Sequence, residues 1–102
     1  MQLNPHATKI RTIMRLLSGA FEGCRVAYLY GNDLHKFRLE WGSMYWLYLD
    51  WSFVDDHTDR EIVESLARWQ IVELFRNSPR SLWLFVGEDG VREVDDAFGA
   101  EY

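Results

Sequence analysis

The chain has 102 residues, of which 48% are hydrophobic and 16% aromatic, and its formal net charge is −5. This apolar content excludes disorder of the whole chain, and the length predicts one domain over residues 1–102. The single cysteine, Cys24, excludes an intramolecular disulfide and a thiolate-rich metal site, and it favours a cytoplasmic location. We expect no signal peptide and no membrane-spanning segment, because no apolar run is long enough.

The first predicted element is a helix. Asn4 followed by Pro5 predicts its start, and Gly19 or Gly23 predicts its end. Between these limits, apolar residues recur at helical spacing: Ile10, Ile13, Met14, Leu17 and Phe21.

Three strands are predicted next, over residues 24–30, 35–41 and 44–53. Asn32-Asp33 and Gly42-Ser43 each suit a two-residue hairpin turn. Pairing across both turns places nine residues on one face: Cys24, Val26, Tyr28, Phe37, Leu39, Trp41, Met44, Trp46 and Tyr48. We therefore predict a three-stranded meander that turns this face toward the core.

The third predicted strand is apolar on its other face as well. That face carries four residues: Tyr45, Leu47, Leu49 and Trp51. A strand with two apolar faces is normally covered on both sides. Either the chain covers these residues itself, or a partner or a second copy of the chain does.

A second helix is predicted to end near Arg76. It begins with the capping box formed by Thr58 and Glu61. On a helical wheel, Trp69 and Val72 lie outside the broad apolar stripe of this helix. These two residues are therefore candidates for contact with another molecule.

Two further strands are predicted at 81–86 and 91–94, followed by an acidic tail, 95–102, that is expected to fray. The predicted fold class is α+β in a single small domain. Its element order is α-β-β-β-α-β-β, with an antiparallel sheet packed against two helices.

Charge is distributed unevenly along the chain. Residues 1–38 hold six Lys and Arg and two acids, whereas residues 39–102 hold five Arg and fourteen acids. Acidic rims steer association toward basic partners, and they oppose nucleic-acid binding by the C-terminal part. The candidate rim residues are Asp55, Asp56, Asp95 and Asp96.

The sequence Asp55-Asp56-His57 contains ligand types that suit a divalent metal or acid–base catalysis. Its spacing matches neither a calcium loop nor a zinc motif, and acids also gather where a helix begins. A small metal-dependent enzyme that uses this cluster is therefore an alternative hypothesis. The histidines His6 and His35 lie elsewhere in the sequence, and we predict no site from them.

Single-stranded nucleic-acid binding is a second alternative. Lys36, Arg38, Tyr45 and Trp51 would share one sheet face, and single-strand binders use stacking aromatic rings among cations.

The sequence favours a protein-binding module, namely an inhibitor that occupies a surface on a larger protein and catalyses no reaction. The predicted interface residues are Tyr45, Leu47, Leu49, Trp51, Trp69, Val72, Asp55, Asp56, Asp95 and Asp96. A basic nucleic-acid-handling protein is the expected partner, and a homodimer is the alternative. Phage-encoded inhibitors of CRISPR systems and bacterial immunity proteins share this size and acidity, by analogy only. We predict no catalytic residue, cofactor or metal.

Overall fold

A computed structural model describes residues 6–98, which form four helices and five strands. Their bounds are α1 (Ala7–Ala20), β1 (Arg25–Gly31), β2 (Leu34–Trp41), β3 (Ser43–Asp50), α2 (Trp51–Asp56), α3 (Asp59–Arg68), α4 (Ile71–Arg76), β4 (Leu82–Gly87) and β5 (Gly90–Val94). The predicted α+β class is confirmed. The predicted N-cap at Asn4 and Pro5 lies outside the described residues.

The five strands form one sheet in the order β1-β2-β3-β4-β5. Three of its pairings are antiparallel, as expected, but β3 and β4 are parallel. The cause is the connection between them, since the chain passes through α2, α3 and α4 and returns to begin β4 beside the start of β3. Parallel neighbours need a crossover of this kind, and a short hairpin cannot supply it.

The first hairpin has the predicted register. Tyr28 pairs with Phe37, and the turn consists of Asn32 and Asp33. Both turn residues have a positive φ, 56° and 59°, as a type I′ turn requires.

The second hairpin differs from the prediction by one residue. Only Gly42, with a φ of +76°, lies between the paired residues Trp41 and Ser43. Leu39 therefore pairs with Tyr45 and not with Trp46. A shift of one residue turns every side chain of β3 to the opposite face of the sheet.

The hydrophobic pattern could not decide this register, because β3 is apolar on both faces. The structure places the aliphatic side chains of Leu47 and Leu49 in the core, and it places Trp46 and Tyr48 on the other face. That choice leaves the polar N–H and O–H groups of Trp46 and Tyr48 away from the aliphatic interior, where unpaired polar groups are unfavourable.

The helical part also differs in detail from the prediction. Residues 51–53, predicted as strand, begin α2, and the N–H of Trp51 donates to the carbonyl of Asp33 at 3.0 Å. The predicted helix from Thr58 to Arg76 is divided into α3 and α4 by Gln70, which adopts a left-handed conformation. The capping box of Thr58 and Glu61 is confirmed.

All four helices contribute to one core. Their buried residues pack with the strand residues Phe37, Leu39, Tyr45, Leu47, Leu49, Leu84 and Val86. These strand residues alternate along the sheet and define its inner face. The helices therefore cover the inner face, and the opposite face of the sheet, called the outer face below, is left to the strands.

Candidate binding face

The outer face consists of the strand residues that alternate with the core residues. Apart from glycines, they are Arg25, Ala27 and Leu29 on β1; Leu34, Lys36, Arg38 and Glu40 on β2; Met44, Trp46, Tyr48 and Asp50 on β3; Trp83 and Phe85 on β4; and Arg92 and Val94 on β5.

Four aromatic residues lie at the centre of the outer face. The parallel pairing of β3 and β4 places Trp46 beside Trp83, and Tyr48 beside Phe85. The rings of Trp46 and Tyr48 have centroids 5.9 Å apart. Both tryptophans are half-buried, so each still offers part of its ring to solvent.

The turn formed by residues 95–98 covers part of this aromatic group. The covered part contains Tyr48 and Phe85 and is called the lower half below. The ring of Phe98 lies 5.9 Å from that of Tyr48 and 5.1 Å from that of Phe85. The guanidinium of Arg92 stacks over both Phe85 and Phe98. Tyr48 is consequently buried, and burial and the neighbouring carboxylate of Asp96 raise the pKa of its phenol.

The upper half of the outer face, the part around Trp46 and Trp83, is open, and cations lie along one side of it. Arg38 and Lys36 are on β2 beside Trp46 and Tyr48, and Arg25 is on β1 opposite Glu40. Arg38 contacts Glu40 at 3.7 Å, and both side chains are partly exposed to solvent. The three cations therefore form a local basic group on β1 and β2, within a chain whose net charge is −5.

Apolar side chains are exposed on the same face. Leu29 is 47% exposed and Met44 is 41% exposed. A pocket of about 370 Å³ lies here, and Lys36, Trp46 and Trp83 are among the residues that line it. Aromatic residues are enriched in the cores of protein interfaces, and they are the main apolar lining of this pocket.

The residues predicted to form the main interface lie elsewhere. Tyr45, Leu47 and Leu49 are on the inner face and are buried beneath the helices, so the chain itself covers the residues that were expected to meet a partner. The physical reason is the one-residue difference at Gly42, which exchanges the two faces of β3. For the same reason Tyr45 cannot join Arg38 in the nucleic-acid face that was the second alternative.

The other predicted interface residues, Trp51, Trp69 and Val72, do not share one surface. Trp51 begins α2 and stacks on His6 at a ring distance of 4.8 Å, away from the outer face. Trp69 is half-buried, and its ring lies 5.9 Å from that of Phe53. Val72 is also half-buried and lines an apolar groove that includes Leu16 of α1.

The four predicted acids are not brought together. Asp55 and Asp56 are exposed at the end of α2. Asp95 caps the C-terminal turn by accepting a hydrogen bond from the N–H of Ala97 at 3.1 Å, whereas Asp96 lines the outer-face pocket. Asp96 therefore joins the outer-face pocket, and Asp95 lies near Arg92 and Val94 at the edge of the same face.

The Asp55-Asp56-His57 cluster has divergent side chains. Asp55 binds His6 at 3.0 Å, and the Nδ1–H of His57 donates to the carbonyl of Phe53 at 2.8 Å. Within residues 6–98, no group of three His, Cys, Asp or Glu side chains could hold a metal ion.

The structure shows a buried relay that sequence reasoning missed. The hydroxyl of Tyr28 lies 2.6 Å from Nδ1 of His35, whose Nε2 lies 2.8 Å from Nδ1 of His6. His6 and His35 are each 1% exposed. Only the exposed end of the relay, at Asp55, was part of a predicted site, because the other members are separated by many residues in the sequence.

The relay contains one ring whose protonation is clearly shifted. A carboxylate oxygen of Asp55 accepts from His6, so Nε2 of His6 carries a proton. Burial and the nearby His6 lower the pKa of His35 to about 4, which agrees with a neutral ring.

This relay ties together α1, β1, β2 and α2 through side chains whose hydrogen bonds are satisfied. Buried polar groups that are fully paired specify one arrangement of the core. The geometry therefore supports a structural role for the relay.

No family model, curated protein or solved structure matches the chain. Among residues 6–98, no helix combines the length and the apolar character needed to cross a membrane.

Proposed function

We propose that this chain is a protein-binding module whose recognition surface is the outer face of the sheet. The observation that carries the proposal is the open aromatic patch of Trp46 and Trp83, flanked by exposed Leu29 and Met44. Trp, Tyr and Arg are the residue types that most often dominate binding energy at protein interfaces.

The mode of action we propose is steric. The outer face can occupy a surface on a larger protein, which makes the chain an inhibitor of whatever that surface otherwise binds. This mode needs no chemical step, and it agrees with the divergent side chains of Asp55 and His57.

Charge favours an acidic surface on the partner. Two cations, Lys36 and Arg38, lie on β2 directly beside Tyr48 and Trp46, and a third, Arg25, lies on β1 opposite Glu40. The expectation of a basic partner rested on Asp55, Asp56 and the acidic tail, of which only Asp96 lines the outer-face pocket. Complementary potentials speed association and select partners.

Site-specific photocrosslinking tests the proposal with a matched control. Met44 on the outer face and Leu74 on α4 are 41% and 40% exposed, and each can be replaced in turn by a photoreactive phenylalanine analogue. In a lysate of the encoding organism, we expect position 44 to capture one protein that position 74 does not. The purified partner should then lose its own activity when one equivalent of the chain is added.

Equal capture from positions 44 and 74, or capture of only a second copy of the chain, would contradict the proposal. The crosslink from position 44 should also be lost in Trp46→Ala and retained in Trp69→Ala, because Trp69 packs away from the outer face against Phe53.

Single-stranded nucleic-acid binding is the second candidate, and one observation favours it. Lys36 and Arg38 lie beside Tyr48 and Trp46 across the β2–β3 pairing, so cations and rings are neighbours. A fluorescent oligothymidylate at low salt tests it through quenching of tryptophan emission, which added salt should reverse. Absence of quenching in the wild-type chain would remove this candidate.

A further inference from the structure

A segment near the C-terminal end of the described residues packs on the outer face, in the way that a bound peptide would. The turn at residues 95–98 has the sequence Asp-Asp-Ala-Phe, and its aromatic ring packs on Tyr48 and Phe85. Asp96, within the same turn, lines the pocket that also contains Lys36 and Trp46. This face is thus already complementary to an acidic segment that bears an aromatic side chain.

From this intramolecular contact we infer that the partner contributes a short acidic segment with an aromatic residue. The inference rests on the proposed function, and it names the chemistry that the outer face recognises. The segment lies in the open upper half, beside Trp46 and Trp83, and its carboxylates face Lys36 and Arg38.

The weakly paired guanidinium of Arg38 supports an acidic ligand. Its Nε is buried by the chain, whereas its Nη2 belongs to a side chain that is 36% exposed. Its contact with Glu40, at 3.7 Å, leaves room for a better acceptor. Carboxylates are strong acceptors for a guanidinium, with which they can form two parallel hydrogen bonds.

The size of the pocket supports an aromatic side chain. Its volume of about 370 Å³ falls in the range of small ligand sites, and its walls include the rings of Trp46, Tyr48 and Trp83. Offset or edge-on packing against such rings favours another ring. The same preference is already realised in the lower half of the face, where Phe98 packs on Tyr48.

The turn at residues 95–98 also competes with the partner segment. Asp96 lies where it can offset the charge of Lys36, and it is joined covalently to the face, so its effective concentration there is high. Removal of the Asp96 charge should therefore strengthen binding of an external acidic peptide.

The test uses the full-length chain and a fluorescent peptide with the sequence of residues 95–102, Asp-Asp-Ala-Phe-Gly-Ala-Glu-Tyr. Fluorescence anisotropy should show saturable binding, strengthened about threefold to tenfold in Asp96→Asn. Lys36→Gln with Arg38→Gln should weaken it about tenfold. The matched control, Arg11→Gln with Arg15→Gln, removes the same charge from exposed positions on α1 and should leave binding unchanged.

Peptide variants separate charge from ring contacts. Conversion of the three acids to their amides, or of Phe and Tyr to Ala, should each abolish saturation. Equal binding of the uncharged peptide would overturn the inference. Tighter binding of an oligothymidylate of the same charge would overturn it in favour of nucleic acid. Phe98→Ala provides a second variant, in which the freed surface of Tyr48 and Phe85 should also strengthen peptide binding.

The photocrosslinking experiment distinguishes the two proposals. A partner that crosslinks from position 44 and is displaced by the peptide supports both of them. A captured partner that the peptide does not displace overturns this inference alone. Failure to capture any protein from position 44 overturns the proposed function.

Discussion

Nδ1 of His6 lies within hydrogen-bond distance of Nε2 of His35, at 2.8 Å, and both imidazole rings are buried. His6 directly precedes α1, and His35 belongs to β2. The pair therefore connects the start of the first helix to the sheet.

We predict that acid destabilises the fold through His35. Its pKa is lowered from 6.5 to about 4, so the unfolded chain binds this proton at a higher pH than the folded chain does. Stability from this group is present above pH 6.5 and is lost as the pH falls toward about 4. At about 1.4 kcal/mol per pKa unit, the loss is about 3 kcal/mol.

Urea unfolding between pH 4 and 8 measures this dependence. His35→Gln should flatten the slope in that window, whatever its effect on absolute stability. A variant without His35 that keeps the full slope would show that another group is responsible.

The register of β3 predicts opposite sensitivities for two residues on the same strand. Leu47→Ala removes a fully buried side chain and should lower the free energy of unfolding by about 2–5 kcal/mol. Met44→Ala, on the outer face, should lower it by less than about 1 kcal/mol. Chemical denaturation measures both values. A larger loss in Met44→Ala than in Leu47→Ala would support the register in which Met44 faces the core.

Two glycines provide a matched test of backbone conformation. Gly42 has a φ of +76°, so Gly42→Ala should destabilise the fold by about 1–2 kcal/mol even though there is space for the methyl group. Gly19 lies in α1 and also has space, so Gly19→Ala should stabilise the fold by about 0.5–1 kcal/mol. Thermal unfolding should show shifts of opposite sign, and equal shifts would argue against the turn geometry at Gly42.

The start of α3 depends on a reciprocal pair of hydrogen bonds. The hydroxyl of Thr58 accepts from the N–H of Glu61 at 3.1 Å, and the carboxylate of Glu61 accepts from the N–H of Thr58 at 2.8 Å. Thr58→Ala should cost about 1 kcal/mol, whereas Thr58→Ser keeps the acceptor and should cost much less. Circular dichroism during urea unfolding provides the comparison, and equal losses in both variants would contradict this role.

Sequence reasoning succeeded where local chemistry decides local structure. The capping box at Thr58, the turn at Asn32 and Asp33 and the register of the first hairpin were all predicted from a few adjacent residues, and all are confirmed. Each depends on hydrogen bonds or positive φ angles within a short segment.

Prediction failed where tertiary contacts select between two arrangements that the local sequence favours equally. Both faces of β3 are apolar, so either register satisfies the pattern, and the error at Gly42 moved the predicted interface into the core. The break at Gln70 has no Gly or Pro to signal it. The relay from Tyr28 to Asp55 joins residues that only the complete fold brings together.

The parallel pairing of β3 with β4 has a consequence for how the chain folds. Short turns join strands β1, β2 and β3, so these strands can pair early in folding. Strand β4 can pair with β3 only after residues 51–81 have formed the long crossover connection. During that interval β3 is an unpaired edge that is apolar on both faces, which is the kind of strand that recruits other chains. If the crossover forms slowly, the unpaired edge of β3 can aggregate with other chains. Pairing of β4 with β3 covers this edge.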